Sequence, residues 1–180
     1  MHYYGLRIRD RQADILNIGP LHPSDNQLLR RAFNALGLYP KTGIHAMLPL
    51  GEIVQTLQNL RPHVVAGYAG VLAKVAELIS DIDSRMIRPR FVAVGGEVLT
   101  PLMRHQITEA FASPVFDIYG SHEFNLIAWE CKDTGEFHTC DDGMIVEVIN
   151  DGRPVATGER GEVVGTNLHS LAMPLIRYRL

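Results

Sequence analysis

Short apolar runs, each closed by glycine or a polar turn and separated by segments of helical periodicity, constrain this chain most. Ala13–Ile18 (ADILNI), His63–Ala66 (HVVA), Phe91–Val94 (FVAV) and Val115–Tyr119 (VFDIY) are too short for buried helices and predominantly apolar without strict alternation. They read as strands covered on both faces. Between them lie helical patterns. Ser24 caps a helix over Asp25–Leu36 that stops at Gly37, and Glu52–Leu60 places Ile53, Leu57 and Leu60 on one face. Val71–Ile79 turns Leu72, Val75, Ala76 and Ile79 inward, and Thr100-Pro101 opens a helix burying Met103, Ile107, Ala110 and Phe111. A further apolar stretch occupies Ile44–Leu48. Strands alternating with helices of this length predict an α/β fold, a parallel sheet flanked by helices.

The texture changes near residue 135. Met144–Asn150 (MIVEVIN), Gly161–Leu168 (GEVVGTNL) and Pro174–Leu180 (PLIRYRL) read as strands joined by turns, with no helix between them. The expected organisation is an α/β portion over 1–135 followed by a small β-rich subdomain over 136–180.

Composition excludes several classes. An apolar fraction of 46% with 21% charged residues is that of a globular chain. A net charge of −3 supplies no electrostatic reason for a nucleic-acid or acidic-membrane partner. The basic stretch Leu6–Arg11 is interrupted by acidic residues at Asp10 and Asp14, as on a solvated face. The most apolar window, Val64–Ile79, contains Lys74 and Glu77 and falls short of a bilayer span, and the N-terminus has no signal-peptide core. A cytoplasmic location is the expectation.

Open parallel sheets bind ligands beyond the carboxyl ends of their strands. Two polar motifs occupy such ends, Gly95-Gly96-Glu97 after FVAV and Gly120-Ser121-His122-Glu123 after VFDIY, so both are expected to face one crevice. Paired glycines allow a flat ligand or a second backbone to come close. Ser121-His122-Glu123 is not a hydrolase relay, because consecutive side chains diverge and a nucleophile elbow needs G-x-S-x-G. Cys131, His138 and Cys140 form C-x6-H-x-C, a candidate zinc set with His122 or Asp141 as a fourth ligand; the alternative is two buried thiols and a strand histidine.

Three ordered segments carry a resemblance: Val92–Thr100 (VAVGGEVLT), Asp117–Phe124 (DIYGSHEF) and Met173–Arg179 (MPLIRYR). They resemble adenylate-forming (AMP-binding) enzymes, and within them the phenylacetate–CoA ligase family with its CapK-like members. Ile127-Ala128-x-Glu130-Cys131 and Gly135-x-x-His138 are similar to that group in particular. The resemblance implies an ATP-dependent acid–CoA ligase: a small carboxylic acid, which includes aryl acids, is activated with ATP and magnesium to an acyl-adenylate and passed to coenzyme A. It also implies part of the large N-terminal domain of such an enzyme. By the same resemblance Tyr119 stacks on adenine, Gly120 allows close approach, Ser121 belongs to the nucleotide-binding segment, Glu123 holds magnesium, and Gly95, Gly96 and Glu97 line the adenine pocket with Asp117 beside them. Tyr68 falls on the acyl pocket.

The sequence departs from that pattern at His122, which stands where the family has a phosphate-contacting Thr; an imidazole can donate the same hydrogen bond. The Gly-rich phosphate loop, the ribose-binding Gly-Asp and the lysine-bearing C-terminal domain are not in the sequence, so the chain is expected to be an internal fragment that is inactive alone. Such a fragment exposes apolar surface and is expected to form homo-oligomers. The competing expectation is a non-catalytic nucleotide- or zinc-binding scaffold module derived from this family.

Overall fold

A computed structural model describes residues 2–17, 33, 36–80 and 87–180. These pack as two units, Met1–Asp117 and Ile118–Leu180. The helix expected over 25–36 lies almost wholly outside the described residues.

The first unit opens with a 3-10 turn, His2–Tyr4. Strand β1 (Gln12–Leu16) and strand β2 (Lys41–His45) follow, then helix α1 (Leu50–Leu60), strand β3 (Val64–Tyr68) and helix α2 (Ala69–Ser80). Strand β4 (Phe91–Gly95), helix α3 (Pro101–Phe111) and the first residues of strand β5 (Val115–Ser121) complete it. The strands are ordered β2-β1-β3-β4-β5. The pairs β1–β2, β1–β3 and β3–β4 are parallel, with Tyr68 opposite Gly95 at the carboxyl end of the last pair. The expected parallel sheet is therefore present.

Its physical basis is burial on both faces. The first four residues of β1, β3 and β4 are all buried, whereas β2, at the edge, is largely exposed. Against these strands pack Ile53, Val54 and Leu57 of α1, Leu72, Val75, Ala76 and Ile79 of α2, and Ile107, Ala110 and Phe111 of α3. The inward residues expected on α2 and α3 are those found, except that Met103 is only partly buried.

Helix ends follow local chemistry. The Thr100 hydroxyl accepts the Met103 N–H at 3.2 Å and Pro101 fills the first helical position, so α3 starts where the sequence places it. Helix α1 begins two residues earlier than expected, after Pro49, and ends on Arg61 in the left-handed region (φ 45°). Its last carbonyls, orphaned as at every helix C-terminus, accept hydrogen bonds from the Arg11 guanidinium: Leu60 O at 2.9 Å and Arg61 O at 2.7 Å. One residue of the N-terminal basic stretch thus has a structural task. Asp10, buried, pairs with Arg90 and accepts the Arg7 N–H.

The second unit contains the rest of β5, then β6 (Asn125–Glu130) and β7 (Phe137–Thr139), paired antiparallel. A second antiparallel sheet, ordered β11-β10-β8-β9, comprises β8 (Met144–Asn150), β9 (Arg153–Pro154), β10 (Glu162–Asn167) and β11 (Tyr178–Arg179). Strand β8 has the expected limits, but the last expected strand shrinks to two residues. Both faces of β8 are apolar as read, yet they are unevenly covered: Met144 and Ile149 are buried and Ile145 is exposed. The unit's core is Phe124, Ile127 and Met144, with Val146 and Leu175 against it.

No described helix is long and apolar enough to cross a membrane.

Gly67 shows how tightly β3 fits. A Cβ there would lie 2.8 Å from the Ile15 carbonyl oxygen and 3.1 Å from Ile15 Cβ, so the approach of β1 requires glycine. Gly67→Ala is expected to lower stability by about 1–3 kcal/mol. A urea titration checks this: the midpoint falls at unchanged slope, and an unchanged midpoint contradicts the packing account.

Candidate functional site

In the first unit, the chain leaving β4 turns at Gly96, whose φ of +75° lies in the left-handed region that glycine tolerates. The half-buried ring of Tyr68, at the end of β3, packs on this turn: a Cβ on Gly96 would lie 3.0 Å from Tyr68 Cε1. Glu97 then reaches back to the preceding helix, where its Oε2 accepts the Gly70 N–H at 2.7 Å at the start of α2. A carboxylate is favoured there, since the first N–H groups of a helix lack partners and carry the positive end of its dipole. Gly70 admits it, because a Cβ at this position would sit 2.9 Å from the same oxygen. The structure therefore brings together three expected residues, Tyr68, Gly96 and Glu97, around a fourth the sequence reading did not single out. Asp117, half-buried, is the last residue of this unit.

In the second unit, the motif Tyr119–Glu123 is a hairpin tip. Strand β5 runs on through Gly120 and Ser121, two residues beyond its expected end; His122–Phe124 form the turn, and Asn125 (φ 59°) starts β6. The return strand β6 is absent from the sequence reading. It gives Gly120 a structural reason, since a Cβ here would collide with the Asn125 carbonyl oxygen. Glycine is thus demanded by the partner strand itself, next to a register shift between Tyr119 and Gly120. Tyr119 is 42% exposed, so its ring is open to solvent.

Ser121 ties the turn together. Its hydroxyl oxygen accepts the Phe124 N–H at 3.3 Å. Glu123 is fully exposed. Its own backbone N–H first, then Ser121, then the nearby His122 imidazole hold its carboxyl below the ordinary carboxylate range, against a small opposing effect of desolvation. Phe124, also unflagged in the sequence, is the anchor: it is buried with Ile127 and Met144, and its ring lies 6.2 Å from that of Tyr178. Gly165 leaves room for it, as a Cβ there would lie 2.8 Å from Phe124 Cζ. An apolar residue directly after a polar turn was the available signal.

The zinc expectation is corrected. Among the described residues no group of three or more His, Cys, Asp or Glu side chains converges to hold a metal ion. Cys131 is buried, His138 on β7 packs its ring 5.9 Å from Trp129, and Cys140 is half-buried beyond the end of that strand. Trp129 stands opposite His138, so Cys131 and Cys140 lie on opposite sides of that pair along the ladder, roughly 13 Å apart at about 3.3 Å per residue. The two cysteines form no disulfide.

The Glu123 environment has a measurable consequence. A lowered pKa means that the ionised form and its turn contacts are fully present above the ordinary carboxylate pKa. They are lost only as pH falls through the lower, folded value. In a carbon-detected NMR titration, Glu123 is expected to titrate below 4.5, the unperturbed glutamate value. Ser121→Ala is expected to move the inflection upward; an unmoved inflection would show that the hydroxyl does not stabilise the carboxylate.

No protein-family profile matches the chain. It is 29% identical over 188 residues to phenylacetate-coenzyme A ligase of Escherichia coli (strain K12), covering 84% of this chain and 43% of that protein. It is 26% identical over 156 residues to protein CapK of Staphylococcus aureus, covering 86% of this chain and 31% of that one. Among solved structures, 2-hydroxyisobutyryl-CoA ligase in the postadenylation state, in complex with R3-HIB-AMP, matches with a TM-score of 0.79 at 20% identity, over 99% of this chain and 39% of that one. A benzoate CoA ligase from Burkholderia xenovorans LB400 matches with a TM-score of 0.66 at 16% identity, over 97% and 35% respectively. The chain thus spans less than half the length of the relatives it matches. Sequence likeness and fold together identify it as a relative of the phenylacetate-CoA ligases and CapK that carries part of the α/β fold of the acid–CoA ligases.

Proposed function

We propose that this chain is the nucleotide-binding part of a cytoplasmic, ATP-dependent acid–CoA ligase, acting on a small carboxylic acid. The observation that carries the proposal is the β5–β6 hairpin tip. There an exposed tyrosine ring and an exposed carboxylate, held ionised by its own turn, stand within five residues in a sequence similar to phenylacetate-coenzyme A ligases.

The tip suits a nucleotide and a hard cation. An aromatic face open to solvent can stack a purine, and an ionised carboxylate is the oxygen donor that magnesium prefers. Glu123 is the residue assigned to magnesium, which when bound would neutralise phosphate charge and polarise the α-phosphate. Tyr119 is assigned to adenine, with Gly120 and Ser121 shaping the tip. Gly95, Gly96 and Glu97 are assigned to the adenine pocket, with Asp117 beside it, and Tyr68 to the acyl pocket.

The chemistry then divides as follows. The substrate carboxylate attacks the α-phosphorus, the bond to the β,γ-phosphates breaks, and pyrophosphate leaves. The acyl-adenylate next loses AMP to the coenzyme A thiol, whose proton is released. Neither step requires a nucleophile from the protein, so positioning and charge stabilisation carry the rate. His122 is assigned the phosphate contact, donating a ring N–H to an oxygen that gains charge as the α-phosphorus is attacked. The domain limits 1–135 and 136–180, and self-association, belong to this same proposal.

In the full-length protein, Glu123→Ala is expected to slow acid-dependent ATP–pyrophosphate exchange by about 10²-fold. Retained exchange would remove Glu123 from the magnesium role. Tyr119→Ala is expected to weaken ATP binding by about tenfold or more, the scale of one base–aromatic stack, and unchanged binding would reject the adenine assignment.

A further inference from the structure

The Gly70–Glu97 contact joins the first turn of α2, which follows β3 directly, to the turn after β4, two segments that follow paired parallel strands. Three observations set it apart from an incidental surface bond. The acceptor is a carboxylate at a helix N-terminus, where the N–H groups have no intrahelical partner. Residue 70 is a glycine inside α2, a position where alanine favours helix formation. What an alanine there would meet is the Glu97 carboxylate itself. The glycine therefore costs the helix propensity and admits one side chain. Beside it, the Tyr68 ring on Gly96 makes a second contact between the β3–α2 junction and the turn after β4.

We infer that Gly70 and Glu97 form a latch, with Glu97 a positioning residue that acts through the α2 N-terminus. The inference rests on the proposed acid–CoA ligase function and deepens it. The β3–α2 junction carrying Tyr68 is assigned to the acyl pocket and the turn carrying Gly96 to the nucleotide. The latch fixes one against the other, so losing it loosens the binding of both substrates together. The Glu97 side chain serves by accepting a hydrogen bond rather than by placing a charge on a ligand.

Two variants separate this role from a merely structural one. Glu97→Ala removes the acceptor. Gly70→Ala leaves the carboxylate but displaces it, and by helix propensity it should not lower the melting temperature. In the 180-residue chain, amide exchange at residue 70 is expected to quicken about tenfold in Glu97→Ala, and Glu97→Gln, which retains a carbonyl acceptor, to recover most of that protection. In the full-length protein, both alanine variants are expected to raise KM for the acid and for ATP about tenfold with little change in kcat, the double variant no further than either single one. Glu97→Gln is expected to recover most of this loss.

A Glu97→Gln variant as impaired as Glu97→Ala would overturn the inference, since charge rather than the hydrogen bond would then be required. So would additive effects in the double variant, or unchanged amide exchange. A wild-type full-length protein without acid-dependent exchange would overturn the positioning role together with the acid–CoA ligase function. That outcome is told apart from failure of the latch alone, in which the wild type is active and the variants do not follow the pattern.

Discussion

Burial of β1, β3 and β4 on both faces is the constraint from which the first unit follows. Strands with no solvent face must be apolar along their length, and parallel neighbours need helices to return the chain. That sends α1, α2 and α3 against the sheet, and the polar residue buried in mid-strand, Asp14 of β1, is paired with Lys41. It also brings backbones close, and Gly67 against Ile15 records how close. With the strands fixed in register, Tyr68 stands opposite Gly95, and the turns that follow are set near enough for Glu97 to reach Gly70.

The second unit obeys a different constraint. Its strands are short and antiparallel, and its small core depends on Phe124, inserted from the hairpin tip. The tip therefore has two faces with different tasks. Phe124 goes inward, while Tyr119 and Glu123 stay exposed and Ser121 bonds the turn from within. Anchoring and exposure in adjacent residues give a polar loop a defined conformation while its polar side chains stay exposed.

Much of the fold was legible because it depends on local rules. The runs at residues 64, 91 and 115 announced strands through continuous apolarity, Thr100-Pro101 announced the start of α3, and the spacing of Leu72, Val75, Ala76 and Ile79 gave the buried face of α2. Strand β6 was not legible, because Asn125–Glu130 alternates weakly and its partner lies across a turn whose Asn125 takes a left-handed conformation. The zinc set failed for a related reason. Cys131, His138 and Cys140 are close in number, but whether their side chains converge is decided by the pairing register, which spreads the two cysteines along the ladder.

The sequence by itself determined the two textures of the chain, the residue types at the strand ends and the likeness to phenylacetate-CoA ligases and CapK. These are carried by periodicity and local order, which a linear string preserves. Only the tertiary structure decided why particular residues stand where they do. Gly120 is glycine for the Asn125 carbonyl, Gly165 for Phe124, and Gly70 for the Glu97 carboxylate, 27 residues away. Each is a steric demand made by an atom distant in sequence, and such demands arise only when separate strands and helices are packed together.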